Sequence, residues 1–294
     1  MSLISAAHAA PPADAGIQAA SWKDHTIAPV TNPIFFEDAQ IRSEIRPIFV
    51  HHTIDNNFLG GGTAQLYAVQ VRWAITDRLA LIATQDGYFD VNNDALGNPD
   101  GFFDLAAGLK YALIDNPAAE FILTPGLTFH IPSGNRDVFH GRGGGEFNPF
   151  ISFQKGFGDL HVSGNLGLRI PITNNEQNVM AHYSLMVDYY TCRWFIPFVS
   201  ANFWTNLSDG NNMPGLRGNG YDVLNLGAGD VNGVTQGMVG LGFRSRILGQ
   251  SRCRRGLRDR RHPSLWTDEQ PSHLGCVHPL LSGMKNLPAG NRVC

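Results

Sequence analysis

Nowhere in these 294 residues does the chain string together the eighteen or so apolar residues that a membrane-crossing helix requires. A helical membrane protein is thereby excluded. If the chain meets lipid at all it does so as a closed β-barrel, because hydrocarbon satisfies no free sheet edge. Charge is scarce too: Asp, Glu, Lys and Arg make up 16% of the chain, low for a soluble protein of this length. Cysteine is scarcer, and three of the four residues, Cys253, Cys276 and Cys294, fall near the C-terminus. No disulfide framework can be read from them, and His262, His273, Cys276 and His278 match no established zinc spacing.

The motifs of chemistry are missing in the same way. Asp90-Val91-Asn92-Asn93-Asp94 opens like a calcium loop, but Ala95 stands where glycine is needed and Gly101 where a bidentate Glu belongs, so it reads as an Asn/Asp-rich surface loop. Gly141-Arg142-Gly143-Gly144-Gly145 could cradle an anion, yet no Gly-Lys-Ser/Thr follows, and it reads as a loop. His51, His52 and His140 are isolated histidines near strand ends. No nucleophile elbow or Cys-His pair occurs. The expectation is a chain with no catalytic residues, no metal, no cofactor and no nucleic-acid partner.

What the chain does have is alternation. Over 64–75, Tyr67, Val69, Val71, Trp73 and Ile75 share one face, and Leu66, Ala68, Gln70, Arg72 and Ala74 the other. After the turn Thr76-Asp77-Arg78, Leu79, Leu81, Ala83 and Phe89 continue the apolar face, with Ala80, Thr84, Asp86, Tyr88 and Asp90 opposite. The same period of two runs through 102–113, 120–131 and 160–170, and in weaker form through 41–52, 146–157, 179–190, 194–204 and 235–246. Helical spacing would scatter these residues around a cylinder. The reading is about ten strands, each with an oily and a wet face.

The connections sort themselves. Linkers near 54–63, 90–101, 132–146, 172–178 and 205–234 are long and rich in Gly, Asn, Asp and Pro; those near 76–78, 114–119, 156–159 and 191–193 are short. Long and short alternate, which is the habit of an up-and-down meander with loops at one rim and tight turns at the other. A Greek-key sandwich has no reason to sort them so. Rings cap the oily runs in pairs, Tyr67 with Trp73, Phe103 with Tyr111, Phe121 with Phe129. Eight residues of strand rise roughly 26 Å, and a tilt of roughly 40° brings that to about 20 Å, close to the apolar band of a bacterial outer membrane with aromatic girdles at its two interfaces. Pro47, Pro125, Pro149 and Pro197 fall inside these strands, where bulges or strand ends are expected.

The two ends differ from the middle. Residues 1–10 read as the remnant of a signal peptide, with Ala7-His8-Ala9 in the spacing of a cleavage site, and 11–36 as a periplasmic extension without pattern. The barrel is expected over 37–248. Residues 244–294 hold ten Lys and Arg against three Asp and Glu, leaving twelve basic against twenty-two acidic residues in 1–243. Alternation stops there, and 249–294 reads as a disordered basic tail of non-native character, as a frameshift would produce.

The segments NPIFFEDAQIRSEIRPIFVHH (32–52), AQLYAVQVRWAITDRLALIATQDGYFD (64–90), GFFDLAAGLKYAL (101–113), GLTFHIPSG (126–134) and GEFNPFISFQKGFG (145–158) resemble a family of bacterial outer-membrane β-barrels labelled transporter or porin-like, similar to the barrels associated with the phenol meta-cleavage pathway. The likeness covers roughly 30–246 and lies in strand wording. It implies an all-β, up-and-down antiparallel transmembrane barrel in the outer membrane of a Gram-negative cell, with about ten strands here and twelve in intact relatives. Export by a signal peptide, assembly by the barrel assembly machinery and contact with outer-membrane lipid follow from it. It carries over no catalytic residue.

Function then lies on the wet faces. Gln70, Arg72, Asp86, Asp104, Lys110, Glu120, His130, Asn148, Gln154, His161, Asn165, Arg169, His182, Asp188 and Asn202 are expected to line the interior. Both signs of charge are present, so they either pair into a plug or face one another across water. The favoured function is a porin-like channel or passive transporter for small solutes, hydrophobic or aromatic compounds among them. Two alternatives differ in class: an outer-membrane barrel enzyme, a rim protease or lipid hydrolase using Asp86, Asp90, His130, Asp137 and His140, and a soluble lipocalin-like or β-sandwich ligand-binding protein.

Overall fold

A computed structural model describes residues 21–54, 56, 60–173, 176–215 and 224–245. The leader 1–10 and the tail 249–294 lie outside the described residues. Thirteen strands form one antiparallel sheet: β1 Glu44–Ile54, β2 Gly62–Ala74, β3 Leu79–Gln85, β4 Tyr88–Asn92, β5 Asp100–Phe102, β6 Leu105–Tyr111, β7 Ile114–Asn116, β8 Phe121–Ile131, β9 Glu146–Phe157, β10 Leu160–Pro171, β11 Met180–Tyr189, β12 Ile196–Asn206 and β13 Thr235–Arg244. β3 with β4, and β5 with β6 and β7, are broken pieces of single staves: β3 and β4 both pair with β2, β6 and β5 pair with β3 and β4 in turn, and β6 and β7 both pair with β8. Counted as staves, the meander makes ten crossings, in agreement with the alternation of the sequence. The only helices among the described residues are three-residue 3-10 turns.

Local chemistry sets the tight turns. Between β2 and β3 the Thr76 hydroxyl accepts the amides of Arg78 and Leu79 at 3.2 and 2.9 Å, a side chain standing in for a backbone turn. Between β9 and β10 a two-residue hairpin carries Gly158 at φ +69°, which a glycine adopts without steric cost. The remaining short turns share this rim, and the long loops, rich in positive-φ glycines such as Gly141 and Gly145, share the other.

The two faces have opposite composition. Outward stand Tyr67, Val69, Trp73, Leu105, Leu109, Leu127, Leu166, Leu185 and Val199, all exposed. Neither a second sheet nor a helix covers them among the described residues, so the sandwich alternative does not hold. Inward stand Gln70, Arg72, Lys110, Thr124, Ser152, Gln154, His161, Asn202 and their like, nearly all below 5% exposure. The oily side faces out and the polar side is the core, the inverse of a soluble domain.

Two expectations need correction. The four prolines produce no bulge: Pro47, Pro125, Pro149 and Pro197 sit in continuous registers opposite Val69, Ile151, Leu127 and Phe243, Pro47 on an edge strand and Pro197 one residue into β12. The bulge falls between Ala83 and Gln85 instead, where Thr84 and Gln85 are both buried. One extra residue reverses every side chain beyond it. Phe89 therefore turns inward against Phe103, while Tyr88 pairs with the outward Tyr67 and Asp90 is exposed beside Gln65. No pairing joins β1 to β13 among the described residues, so the ten-stave meander stays open there.

Candidate functional site: the lumen

The concave side of the sheet is occupied by the chain's own residues 21–43. The sequence sets 11–36 apart as an extension and starts the barrel at 37; from Ser21 onward the chain instead lies against the inward face, and the first strand begins at Glu44. The segment enters at the short-turn rim, where the Lys23 ammonium binds the Asp115 carboxylate at 2.6–2.7 Å and the His25 ring stacks on Tyr190 at 4.2 Å. It rises to Asn32–Phe36 and returns past Ala39 and Gln40, so that the Gln40 amide bridges back to Thr26 at 2.5 Å and across to Gln154 at 2.6 Å. Its backbone carbonyls are taken by the wall: Pro33 by Gln70, Glu37 by Ser152 and Ala39 by Thr124. Arg46 of β1 and Arg244 of β13 reach the neighbouring carbonyls of Pro29 and Ala28, at 3.2 and 2.7 Å. Thr31 meets Ser200 and Asn202 of β12.

Glu37 is the electrostatic centre of the short-turn half. Arg72 binds both carboxylate oxygens, Nε at 2.9 Å and Nη2 at 2.6 Å, and Lys110 Nζ donates to Oε1 at 2.7 Å and to the Asp38 carbonyl at 2.6 Å. Burial alone would push the Glu37 carboxyl up; Arg72 and then Lys110 outweigh it and hold the group well below the usual carboxylate range. All three side chains are 0–2% exposed. These are charges that only one another can satisfy.

Phe35 marks the waist. Its ring is parallel to His130 at 5.6 Å, meets His182 at 5.1 Å, and lies under the Arg169 guanidinium at 4.5 Å. His182 in turn reaches Asn148 at 2.8 Å. Gly167, opposite His182 in the ladder, makes room for that ring: a Cβ there would stand 2.4 Å from its Nε2.

The loop half is built differently. Arg169 Nε binds Glu146 at 2.7 Å, Asn225 donates to the other oxygen at 3.2 Å, and Asp104 accepts the amides of Gly134 and Gly141 while facing His140 Nδ1 at 3.1 Å. A half-open pocket remains between these groups, its free interior about 20 Å³, room for one water-sized group.

Of the fifteen expected interior residues, twelve are buried inside: Gln70, Arg72, Lys110, His130, Asn148, Gln154, His161, Asn165, Arg169, His182, Asp188 and Asn202. His161 and Asp188 form a fully buried pair at 2.8 Å. Asp104 lies at the loop rim, and Glu120 at the turn rim, where it caps the Gly158 amide at 3.0 Å. Asp86 is displaced by the bulge; half-exposed, it caps the Val69 amide at 3.1 Å, between the registers of β3 and β4 on β2. The hydrolytic set does not assemble: His130 and His140 share the pocket, Asp86 and Asp90 belong to the broken stave, and Asp137 sits in a 3-10 turn. Among the described residues no group of three or more His, Cys, Asp or Glu side chains could hold a metal, and the His262–His278 grouping lies outside them. Sequence reasoning missed Phe35, Glu37, Glu146, Gln177 and Asn225. The signal for the first two was an apolar cluster bearing two carboxylates, Glu37 and Asp38, directly ahead of the first strand.

The family model described as "Putative MetA-pathway of phenol degradation" matches residues 40–244. Among solved structures, an outer membrane channel from Pseudomonas putida F1 aligns at a TM-score of 0.40 and 17% identity, over 62% of this chain and 77% of that one. No curated protein matches the chain.

Proposed function

Because the chain belongs to the phenol-degradation MetA-pathway family, we propose that it is a porin-like outer-membrane channel or passive transporter for small solutes, with hydrophobic and aromatic compounds of that pathway as the class carried. One observation carries the reading: a meander of ten staves turns an uncovered apolar face outward and keeps polar side chains within. Such a wall suits hydrocarbon outside and water or solute inside. Outer-membrane lipid and the barrel assembly machinery are the partners this reading implies.

Solutes would move between the inward residues named above, with Arg72, Lys110, Glu37 and Asp104 setting the field they meet. Residues 21–43 fill the short-turn half, so the resting conductance is low. The test is planar-bilayer recording of the purified chain beside a variant lacking residues 21–41. The expected result is small, rare steps for the parent and steps several-fold larger for the deletion. Bilayers that stay sealed with both proteins inserted would end the proposal.

A further inference from the structure

Four polar atoms around the loop-half pocket have no hydrogen-bond partner although they are buried: Arg169 Nη1, Arg142 Nε, His140 Nε2 and Gln177 Oε1; His130 Nε2 makes a fifth. Leaving such groups bare costs on the order of 1–3 kcal/mol each, so a pocket that gathers them asks for an occupant. Their chemistry describes it. The two guanidinium nitrogens can only donate. Gln177 Oε1 can only accept. His140 Nδ1 lies 3.1 Å from the Asp104 carboxylate and 3.4 Å from the Asp104 amide, so Nε2 accepts in one tautomer and donates in the other. Donors and acceptors thus face one space.

Charge narrows the choice. Arg142 and Arg169 are balanced by Asp104 and Glu146, so neither an anion nor a cation is favoured there. A neutral group that both donates and accepts fits, and the smallest such group a solute can carry is a hydroxyl. The volume admits one such group and no ring, so the remainder of a solute would lie at the mouth, against Pro132 and Phe139. Phe139 is held there at φ +65°, a conformation that side-chain-bearing residues seldom adopt.

We propose that this pocket is a recognition site for the hydroxyl of a small alcohol or phenol, its apolar body resting at the mouth. The proposal rests on the transport reading above for its solute class, but its geometry is independent of whether the lumen conducts.

The test compares phenol, anisole and toluene, which are similar in size, by ligand-observed NMR titration of the full chain in detergent micelles. Anisole accepts but cannot donate, and toluene does neither. Phenol is expected to bind about ten-fold more tightly than the other two, as one or two net hydrogen bonds allow. Gln177→Leu removes an acceptor oxygen that has no partner within the protein, so the fold should tolerate it. It should weaken phenol about five-fold and leave toluene unchanged. Equal affinities for the three compounds, no saturable phenol binding, or a Gln177→Leu chain that binds phenol like the parent would each overturn the site. Sealed bilayers with phenol selectivity intact would instead remove the transport reading and leave the pocket standing.

Discussion

The two halves of the lumen are filled by opposite means. On the short-turn side the charges close on one another and on the segment: Glu37 is clasped by Arg72 and Lys110, Lys23 by Asp115, and the carbonyls of Glu37 and Ala39 by Ser152 and Thr124, although Arg72 Nη1 and Trp22 Nε1 have no hydrogen-bond partner. On the loop side the main pairs are made, Arg169 with Glu146 and His140 with Asp104, yet donors and acceptors are left over around a space. The first arrangement is what holding a segment in place requires. The second is what receiving something from outside requires.

The sharpest way to break the contrast is Glu37→Ala, which strands the buried Arg72 and Lys110. The loss is expected at about 3–5 kcal/mol, read from urea unfolding in lipid vesicles. An unchanged midpoint would mean the segment is not lodged between those cations. At the waist, Gly167→Val drives a side chain into the His182 ring and should cost about 1–3 kcal/mol by overpacking, measured the same way, with no effect if the ring can swing clear.

Acid should separate the halves next. The Glu37 carboxyl titrates lower in the folded chain than in the unfolded one, so its contribution is complete above the ordinary Glu pKa and drains away as pH falls below it. Stability of the parent minus that of Glu37→Gln should therefore be flat from pH 7 to about 5 and then decline by up to about 1.4 kcal/mol per pH unit. A difference that grows on acidification would reverse the assignment. The smallest effect belongs to the loop half: Gln177→Leu should change stability by no more than about 0.5 kcal/mol, because no bond within the protein is lost, and a large loss there would erase the distinction.

Much of the wall was legible in the sequence and little of its filling. Period-two alternation is local, so Tyr67 to Ile75 announced their strand unaided, and the sorting of long and short linkers announced the meander. The bulge at Ala83 and Gln85 was hidden because Thr84-Gln85-Asp86 passes as an uninterrupted wet run whichever way it is read, and Asp86, Tyr88, Phe89 and Asp90 were all assigned to the wrong side. Residues 21–43 show no period because they form no strand and only a three-residue 3-10 turn at Trp22–Asp24. Their burial depends on cations more than thirty residues away, Arg72 and Lys110, and complementarity across such distances leaves no mark on a local pattern. The same holds for Glu146 and Gln177, which acquire their surroundings only when the loops meet.

Chain order gives the filled lumen a kinetic meaning. The lodged segment precedes β1, and its partners are spread from β2, through Arg72, to β12 and β13, through Ser200 and Arg244. The final staves cannot make those contacts until the earlier ones have curved around Phe35 and Glu37. If the wall winds about this segment as about a mandrel, weakening the grip of Glu37 should slow folding as well as loosen the folded state, which refolding rates of Glu37→Ala in lipid vesicles would check.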